Sequence, residues 1–150
     1  MLTFADLYAD LRANNIRLYQ YDVGSLRSAT IEMKGDYAVF TDVSAFPSLR
    51  EAKRAIAHEI GHCATGCTHK VSSPLDLVAK HEYKANRWAV THYIPFQEID
   101  KAVHEGYTQT FELAEYFDVP EHMIVWAIHY YIDICGMQFT KETDLMDGTR

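Results

Sequence analysis

The feature that most constrains this chain is a five-residue run, His58-Glu59-Ile60-Gly61-His62, within a helical segment. Side chains four residues apart on a helix project from the same face, so two imidazoles in this spacing can reach one metal ion. Glu59 is offset by one position and lies near that ion without being forced to bind it. The run therefore predicts His58 and His62 as metal ligands and Glu59 as a general base for metal-assisted hydrolysis.

The segment around the run carries signals for a helix start and a helix stop. Ser48-Leu49-Arg50-Glu51 fits a capping box, in which the serine and glutamate side chains each satisfy a free backbone N–H group. Gly66 is typical of the residue that follows the C-terminal end of a helix. A chain of this composition contains the H-E-x-x-H pattern about 0.03 times by chance. We interpret it as a metal site; histidines merely packed or solvated on a helix face are the alternative.

Catalytic zinc usually has three protein ligands, and two residues compete for the third position. His69 follows the run in a spacing similar to the metzincin pattern H-E-x-x-H-x-x-G-x-x-H, but one extra residue precedes Gly66. That extra residue turns the third histidine away from the metal. His69 is therefore the weaker candidate.

The stronger candidate comes from a second helix, predicted between Ser73-Pro74 and Pro95. One face of this helix is a mostly apolar stripe with a carboxylate at its centre: Leu75, Val78, Glu82, Ala85, Ala89 and His92. A carboxylate in an inward-facing stripe is costly unless it meets a cation or a metal ion. We expect Glu82 beside His58 and His62; a salt bridge or partial exposure is the alternative.

The remaining pattern predicts an α+β fold with a small antiparallel sheet and a mostly helical C-terminal part. Apolar residues at helical spacing mark residues 3–14, and alternation suits a strand over 16–21. Two β-prone runs, 29–33 and 37–41, flank Lys34-Gly35-Asp36 and predict a hairpin. We expect the strand at 37–41 to hold an extended peptide by edge pairing.

Length and composition are those of one compact domain. The 150 residues are 48% hydrophobic, with only 7 Gly and 4 Pro, and no apolar run is long enough to cross a membrane. The first residues lack the pattern of a secretory signal, so we expect a cytoplasmic protein. Three cysteines are too few for a disulfide framework. Cys63 and Cys67 are at helical spacing; small buried thiols are the favoured interpretation and shared metal binding the alternative.

The charge of the chain is concentrated near its C-terminus. The net charge is −7, yet residues 1–101 sum to zero, whereas 102–140 contain no Lys or Arg and six acids. Residues 1–101 are expected to form the catalytic portion and 102–150 an acidic helical segment. A helix–turn–helix rhythm over 110–128 lacks the cations that contact DNA phosphates, which argues against nucleic-acid binding. A structural helical pair is the favoured interpretation, and an acidic docking surface for a basic protein is the alternative.

Two sequence motifs, taken together, resemble those of a known protein family. Ala57-His58-Glu59-Ile60-Gly61-His62 is followed by Glu82-x-x-Ala85-Asn86-x-Trp88-Ala89 and then by Pro95. In this order and spacing the chain resembles the ImmA/IrrE family of zinc metallopeptidases over about residues 30–135. The resemblance implies a zincin-like domain with one catalytic Zn²⁺ ion, with His58, His62 and Glu82 as ligands and Glu59 as general base.

Proteins of that family are typically cytoplasmic, often come from phages or mobile elements, and cleave a DNA-binding repressor. The resemblance thus implies a zinc-dependent endopeptidase with a transcriptional repressor or similar regulator as its protein substrate. The alternative is a zinc-binding anti-repressor that acts by protein–protein interaction without cleavage. The donor that would stabilise the oxyanion stays open among His69, His92 and Tyr93.

Overall fold

A computed structural model of the chain describes residues 1–68, 73–141 and 145. The order of elements is α1 (Phe4–Ala13), β1 (Ile16–Gln20), β2 (Ser28–Met33), β3 (Asp36–Thr41), α2 (Leu49–Ala64), α3 (Leu75–Tyr93), α4 (Phe96–Glu105), α5 (Thr110–Phe117) and α6 (Glu121–His129). This order confirms the α+β class. Among the described helices, none combines the length and the apolar character that crossing a membrane requires.

The chain divides into two compact units. The N-terminal unit is Thr3–Ala89, and the C-terminal unit is Met1–Leu2 together with Val90–Arg150. The N-terminal unit contains the sheet, α1, α2 and most of α3, and therefore every residue of the H-E-x-x-H run and Glu82.

The sheet is mixed, whereas the sequence pattern predicted an antiparallel one. Its strand order is β1-β3-β2, with β2 antiparallel to β3 and β1 parallel to β3. β3 lies in the middle of the sheet, with its hairpin partner β2 on one side and β1 on the other. The chain reverses between β1 and β2, and β1 consequently runs in the direction of β3. Alternation predicts a strand but not its neighbour, so this pairing was not predictable from the pattern.

The hairpin between β2 and β3 is the one the sequence predicts. Lys34 and Gly35 both have positive φ, at 52° and 87°. Two such residues between paired ends, Met33 and Asp36, form the type I′ geometry that suits the twist of a two-residue hairpin. The turn fixes the register of β2 along the sheet.

The strand at Tyr37–Thr41 is not an edge, so the prediction that it pairs with an extended peptide is wrong. It belongs to β3, which is paired on both sides, and β2 is the edge strand instead. Arg27 O accepts a hydrogen bond from Asp42 N at 3.1 Å. The alternation of an antiparallel ladder then directs the backbone groups of Ser28, Thr30 and Glu32 away from β3. An extended peptide can pair with these groups.

The N-terminal unit buries one face of α2 in its core. Ser48 begins the helix as predicted, because its hydroxyl accepts from Glu51 N at 3.2 Å. Gly66, at φ 63°, follows its end. Ile56 and Ile60 are almost fully buried, as are Val39 of the sheet and, on α1, Leu7 and Leu11. This packing fixes the orientation of α2 and with it the direction of the His58 and His62 side chains.

The apolar stripe predicted on α3 is buried only over part of its length. Leu75 is 87% exposed, whereas Ala85 and Ala89 are buried. A Cβ atom added at Gly61 would lie 2.5 Å from the backbone oxygen of Ala85. The backbones of α2 and α3 therefore meet at Gly61 and Ala85. This close approach brings Glu82, one turn before Ala85, to the two histidines.

We expect Gly61→Ala to destabilise the metal-free protein by about 1–3 kcal/mol, because the added methyl group meets backbone rather than a movable side chain. Urea unfolding followed by circular dichroism measures the change. Alanine is the better helix former by about 1 kcal/mol. An unchanged or raised unfolding midpoint would therefore show that the two helices are not held in this close contact.

The C-terminal unit is a helical assembly with its own apolar core. Its buried residues include Ile99, Ala102 and Val103 on α4, Leu113 and Phe117 on α5, and Met123, Ile124, Ala127 and Ile128 on α6. Tyr131 donates its hydroxyl to Ile94 O at 3.0 Å and packs against Phe96, and burial raises the pKa of Tyr131 to about 12. The helical pair predicted over 110–128 is present as α5 and α6.

Several of the six acids in this segment have structural partners; Asp133 Oδ2, for example, lies 2.8 Å from His129 Nδ1. The Glu112 carboxylate accepts from the backbone N–H groups of Thr108 and Gln109 and so caps α5. Glu121 accepts from the Thr110 hydroxyl. Charge reversal at Glu112 or Glu121 would therefore disturb the helices as well as any docking surface.

Candidate metal centre

The structure brings His58, His62 and Glu82 together within the N-terminal unit. His58 Nε2 lies 2.8 Å from Glu82 Oε2, and His62 Nε2 lies 3.0 Å from Glu82 Oε1. The two imidazole Nε2 atoms are 3.0 Å apart. The side chains of three residues thus converge on one point, with the two histidines from α2 and the carboxylate from α3.

Hydrogen bonds behind the imidazoles orient both rings. His58 Nδ1 lies 2.8 Å from Asn86 Oδ1, and His62 Nδ1 lies 2.9 Å from the backbone oxygen of Cys67. A carbonyl oxygen only accepts, so each Nδ1 atom donates. Each ring therefore presents Nε2 to Glu82: a protonated Nε2 donates to the carboxylate, and a deprotonated Nε2 offers its lone pair to a metal ion. Such partners fix the tautomer of metal-binding histidines.

The three groups influence one another's protonation. Hydrogen bonds from His58 and His62 hold the pKa of Glu82 well below its usual range, against the opposing effect of burial. Burial by itself lowers the pKa of His62. Hydrogen bonds to Glu82 and to the Cys67 carbonyl, with the nearby charges of Glu82 and Glu59, outweigh burial and raise the pKa of His62. Glu82 is therefore ionised and concentrates negative charge where a cation would bind.

The residues present fit a zinc ion. Two imidazole nitrogens and one carboxylate form the His₂Glu donor set of catalytic zinc sites. Ligand atoms around tetrahedral zinc lie about 3.3–3.6 Å apart, given bond lengths of about 2.0–2.2 Å. The atoms of His58, His62 and Glu82 therefore need to separate by about half an ångström, which small side-chain rotations achieve. The Glu82 side chain is 42% exposed, which leaves one side open to solvent.

Glu59 is held beside this cluster by the sheet. Its carboxylate accepts a hydrogen bond from the Thr30 hydroxyl on β2. Both residues line a cleft of about 380 Å³ together with His58, His62 and Glu82. The four residues that the sequence predicted for the site therefore share one cleft, and its wall on the sheet side is the edge strand.

The other residues considered from the sequence have different places. His69 lies outside the described residues, and His92 and Tyr93 belong to the C-terminal unit. Cys63 and Cys67 are buried free thiols, as predicted, and burial raises the pKa of Cys63 to about 12. Within the described part of the chain, the metal-ligand cluster contains neither cysteine.

Sequence reasoning missed three groups around the site. Asn86 and the Cys67 carbonyl orient the histidines, and Thr30 binds Glu59. Asn86 follows Glu82 by four residues, so helical spacing places it one turn away on the same face. Thr30 is 29 positions from Glu59, and no local pattern links a strand residue to a helix residue at that distance.

Comparison with known proteins agrees with this geometry. A family model described as the IrrE N-terminal-like domain, a peptidase family, matches residues 43–129, more than half of the chain. The match includes α2 and α3 and so all three ligand residues and Glu59, whereas β2 precedes it. Searches of curated proteins and of solved structures found no match. Because the family model covers more than half of the chain, this chain belongs to the IrrE N-terminal-like family of peptidases.

Proposed function

We propose that this chain is a zinc-dependent endopeptidase that cleaves a DNA-binding repressor or a similar regulatory protein. The observation that carries the proposal is the convergence of His58, His62 and Glu82 beside Glu59 in one cleft. Membership of a peptidase family supports a protein substrate.

His58, His62 and Glu82 would hold the zinc ion, and Asn86 and the Cys67 carbonyl keep the two rings in place. When bound, zinc supplies a Lewis acid that polarises a peptide carbonyl and lowers the pKa of a water molecule. The protein supplies the remaining steps with its own side chains.

Glu59 is the general base in this proposal. Its carboxylate takes a proton from the attacking water and then passes it to the nitrogen of the departing amine. The Thr30 hydroxyl donates to Oε2, which leaves Oε1 for the proton. The hydrogen bond restricts the rotation of Glu59, so the base stays directed into the cleft.

The edge strand β2 is the proposed binding surface for the substrate backbone. Ser28, Thr30 and Glu32 direct backbone N–H and C=O groups to the open edge, and Ser28 and Thr30 also line the cleft. A peptide paired with this edge would pass alongside Glu59. Main-chain pairing gives affinity with little dependence on sequence, so side-chain subsites must supply the specificity.

Wider features of the protein are also proposals. We propose a cytoplasmic protein of a phage or mobile element, with residues 1–150 forming one metallopeptidase domain that comprises a catalytic portion, 1–101, and an acidic segment, 102–150. The test is incubation of the purified, zinc-loaded protein with DNA-binding repressors of its source organism. We expect mass spectrometry to find one discrete cleavage, which a zinc chelator prevents. Intact repressors, together with failure to bind zinc, would contradict the proposal.

We expect Thr30→Val to lower kcat by about tenfold with little change in KM, because valine keeps the shape of threonine but loses the hydrogen bond to Glu59. Steady-state cleavage of a fluorogenic peptide measures both constants. Thr30→Ser retains a hydroxyl and should recover most of the rate. A loss that serine does not rescue, or one confined to KM, would mean that Thr30 acts only through packing of the strand.

A further inference from the structure

A second cleft adjoins the proposed active site and is not used by the mechanism above. It has a volume of about 340 Å³ and shares Leu26, Ser28, His58 and Glu59 with the first cleft. This volume is near the lower end of ligand pockets and suits one substrate side chain. A peptide on the edge of β2 would pass its opening at Ser28.

Two of the polar atoms that line this cleft lack a hydrogen-bond partner among the described residues. Ser28 Oγ and Arg54 Nε are buried and have no hydrogen-bond partner in the part of the chain that the structure describes. Arg54 Nε is 3.5 Å from Glu51 Oε2, an ion-pair contact without hydrogen-bond geometry. Buried donors without partners are costly and uncommon in folded proteins. A bound group that brings acceptor oxygens would remove this cost.

The cleft offers two cationic side chains that can bind an anion. Arg27 and Arg54 line it together with two carboxylates, Glu51 and Glu59, and the Glu59 carboxylate accepts from Thr30. Hydrogen bonds from an arginine to a carboxylate are about twice as strong as those between neutral groups. The remaining wall is apolar and suits a methylene stem: Leu26, Phe46, Pro47 and Ala55.

Arg27 has a backbone conformation that fits a functional position. Its φ is 59°, a left-handed value that costs a non-glycine residue free energy. The residue lies directly before β2, and its carbonyl accepts from Asp42 N. The hydrogen bond to Asp42 thus holds the strained residue in the lining of the cleft.

We infer that this cleft is a specificity subsite that takes an acidic side chain, aspartate or glutamate, of the substrate near the cleaved bond. The inference rests on the proposed endopeptidase function. Its residues Leu26, Arg27 and Ser28 precede the part of the chain that the family model matches, whereas Arg54 lies within that part.

The test begins with the zinc-loaded full chain and a peptide library made from a digested cell lysate, with cleavage sites read by mass spectrometry. We expect Asp and Glu to be enriched at one position within four residues of the cleaved bond. A matched pair of peptides with Glu or Gln at that position should differ about tenfold in kcat/KM, equivalent to about 1.4 kcal/mol. Cleavage without acidic enrichment would overturn the inference.

Two variants locate the preference in this cleft. Arg54→Gln should reduce the Glu-to-Gln ratio of kcat/KM to below about threefold, since it removes one of the two cations and the buried Nε donor. Ser28→Ala should reduce the ratio in the same direction through loss of one donor. Arg12→Gln, at an exposed position on α1, is the matched control and should keep the wild-type ratio. An unchanged ratio in both cleft variants would overturn the inference.

Failure of the proposed function is distinguishable from failure of this inference. If the zinc-loaded wild type cleaves neither the library nor a repressor, the endopeptidase proposal is wrong and the subsite falls with it. If the wild type cleaves peptides with no acidic preference, only the subsite is wrong.

Discussion

Glu59→Gln is expected to lower kcat/KM for peptide cleavage by about 10²–10⁴-fold, the range that a general base contributes. Glutamine has the same shape as glutamate, and its carbonyl oxygen can still accept from Thr30, but it cannot take a proton from water. The ligand residues His58, His62 and Glu82 are untouched. Zinc content, measured by atomic spectroscopy, should therefore stay at the wild-type level while cleavage disappears.

The control for this experiment is Glu98→Gln, the same substitution on α4 at a side chain that is 51% exposed. It should leave cleavage unchanged. Glu59→Gln also distinguishes between the two functions considered from the sequence. A Glu59→Gln protein that still relieves repression fully would support the non-cleaving anti-repressor and contradict the peptidase mechanism.

The parts of the site that lie on one helix could be predicted from the sequence. Helical geometry alone places His58 and His62 on the same face, and it places Asn86 one turn beyond Glu82. Glu82 itself was predictable because an ionised side chain between Val78 and Ala85 needs a partner. Each of these inferences depends on residues no more than one turn apart along the chain.

The parts that depend on long-range pairing could not be predicted. Alternation predicted β1 and the hairpin, but it is equally compatible with parallel and antiparallel neighbours, so the central place of β3 was missed. The same error assigned peptide binding to the wrong strand. The bond between Thr30 and Glu59 follows only once β2 lies beside α2.

The contact between α2 and α3 shows why the two motifs occur together. Gly61 lies between the ligand histidines, and its missing side chain allows the backbone of Ala85 to approach. Glu82 reaches His58 and His62 only because the helices are this close. The glycine in the first motif and the alanine in the second are thus geometric requirements of the metal site.

Removal of the third ligand is expected to have the largest effect on metal binding. Glu82→Ala should reduce zinc affinity by more than the about 10–100-fold that loss of an outer partner costs. It deletes the carboxylate that contacts both Nε2 atoms and the negative charge at the site. Zinc per chain, measured after dialysis against a weak chelator, should fall from about one to near zero.

Two further variants make the assignment of the ligands decisive. Asn86→Ala removes only the partner of His58 Nδ1, so its zinc affinity should fall by about 10–100-fold, less than for Glu82→Ala. His69→Ala should keep wild-type zinc, because the three-ligand set does not use it. Far-ultraviolet circular dichroism of each metal-free variant checks that the helices are retained. Zinc lost with His69→Ala but kept with Glu82→Ala would replace the His₂Glu site with a three-histidine one, since the carboxylate would then be only an ion-pair partner of His58 and His62.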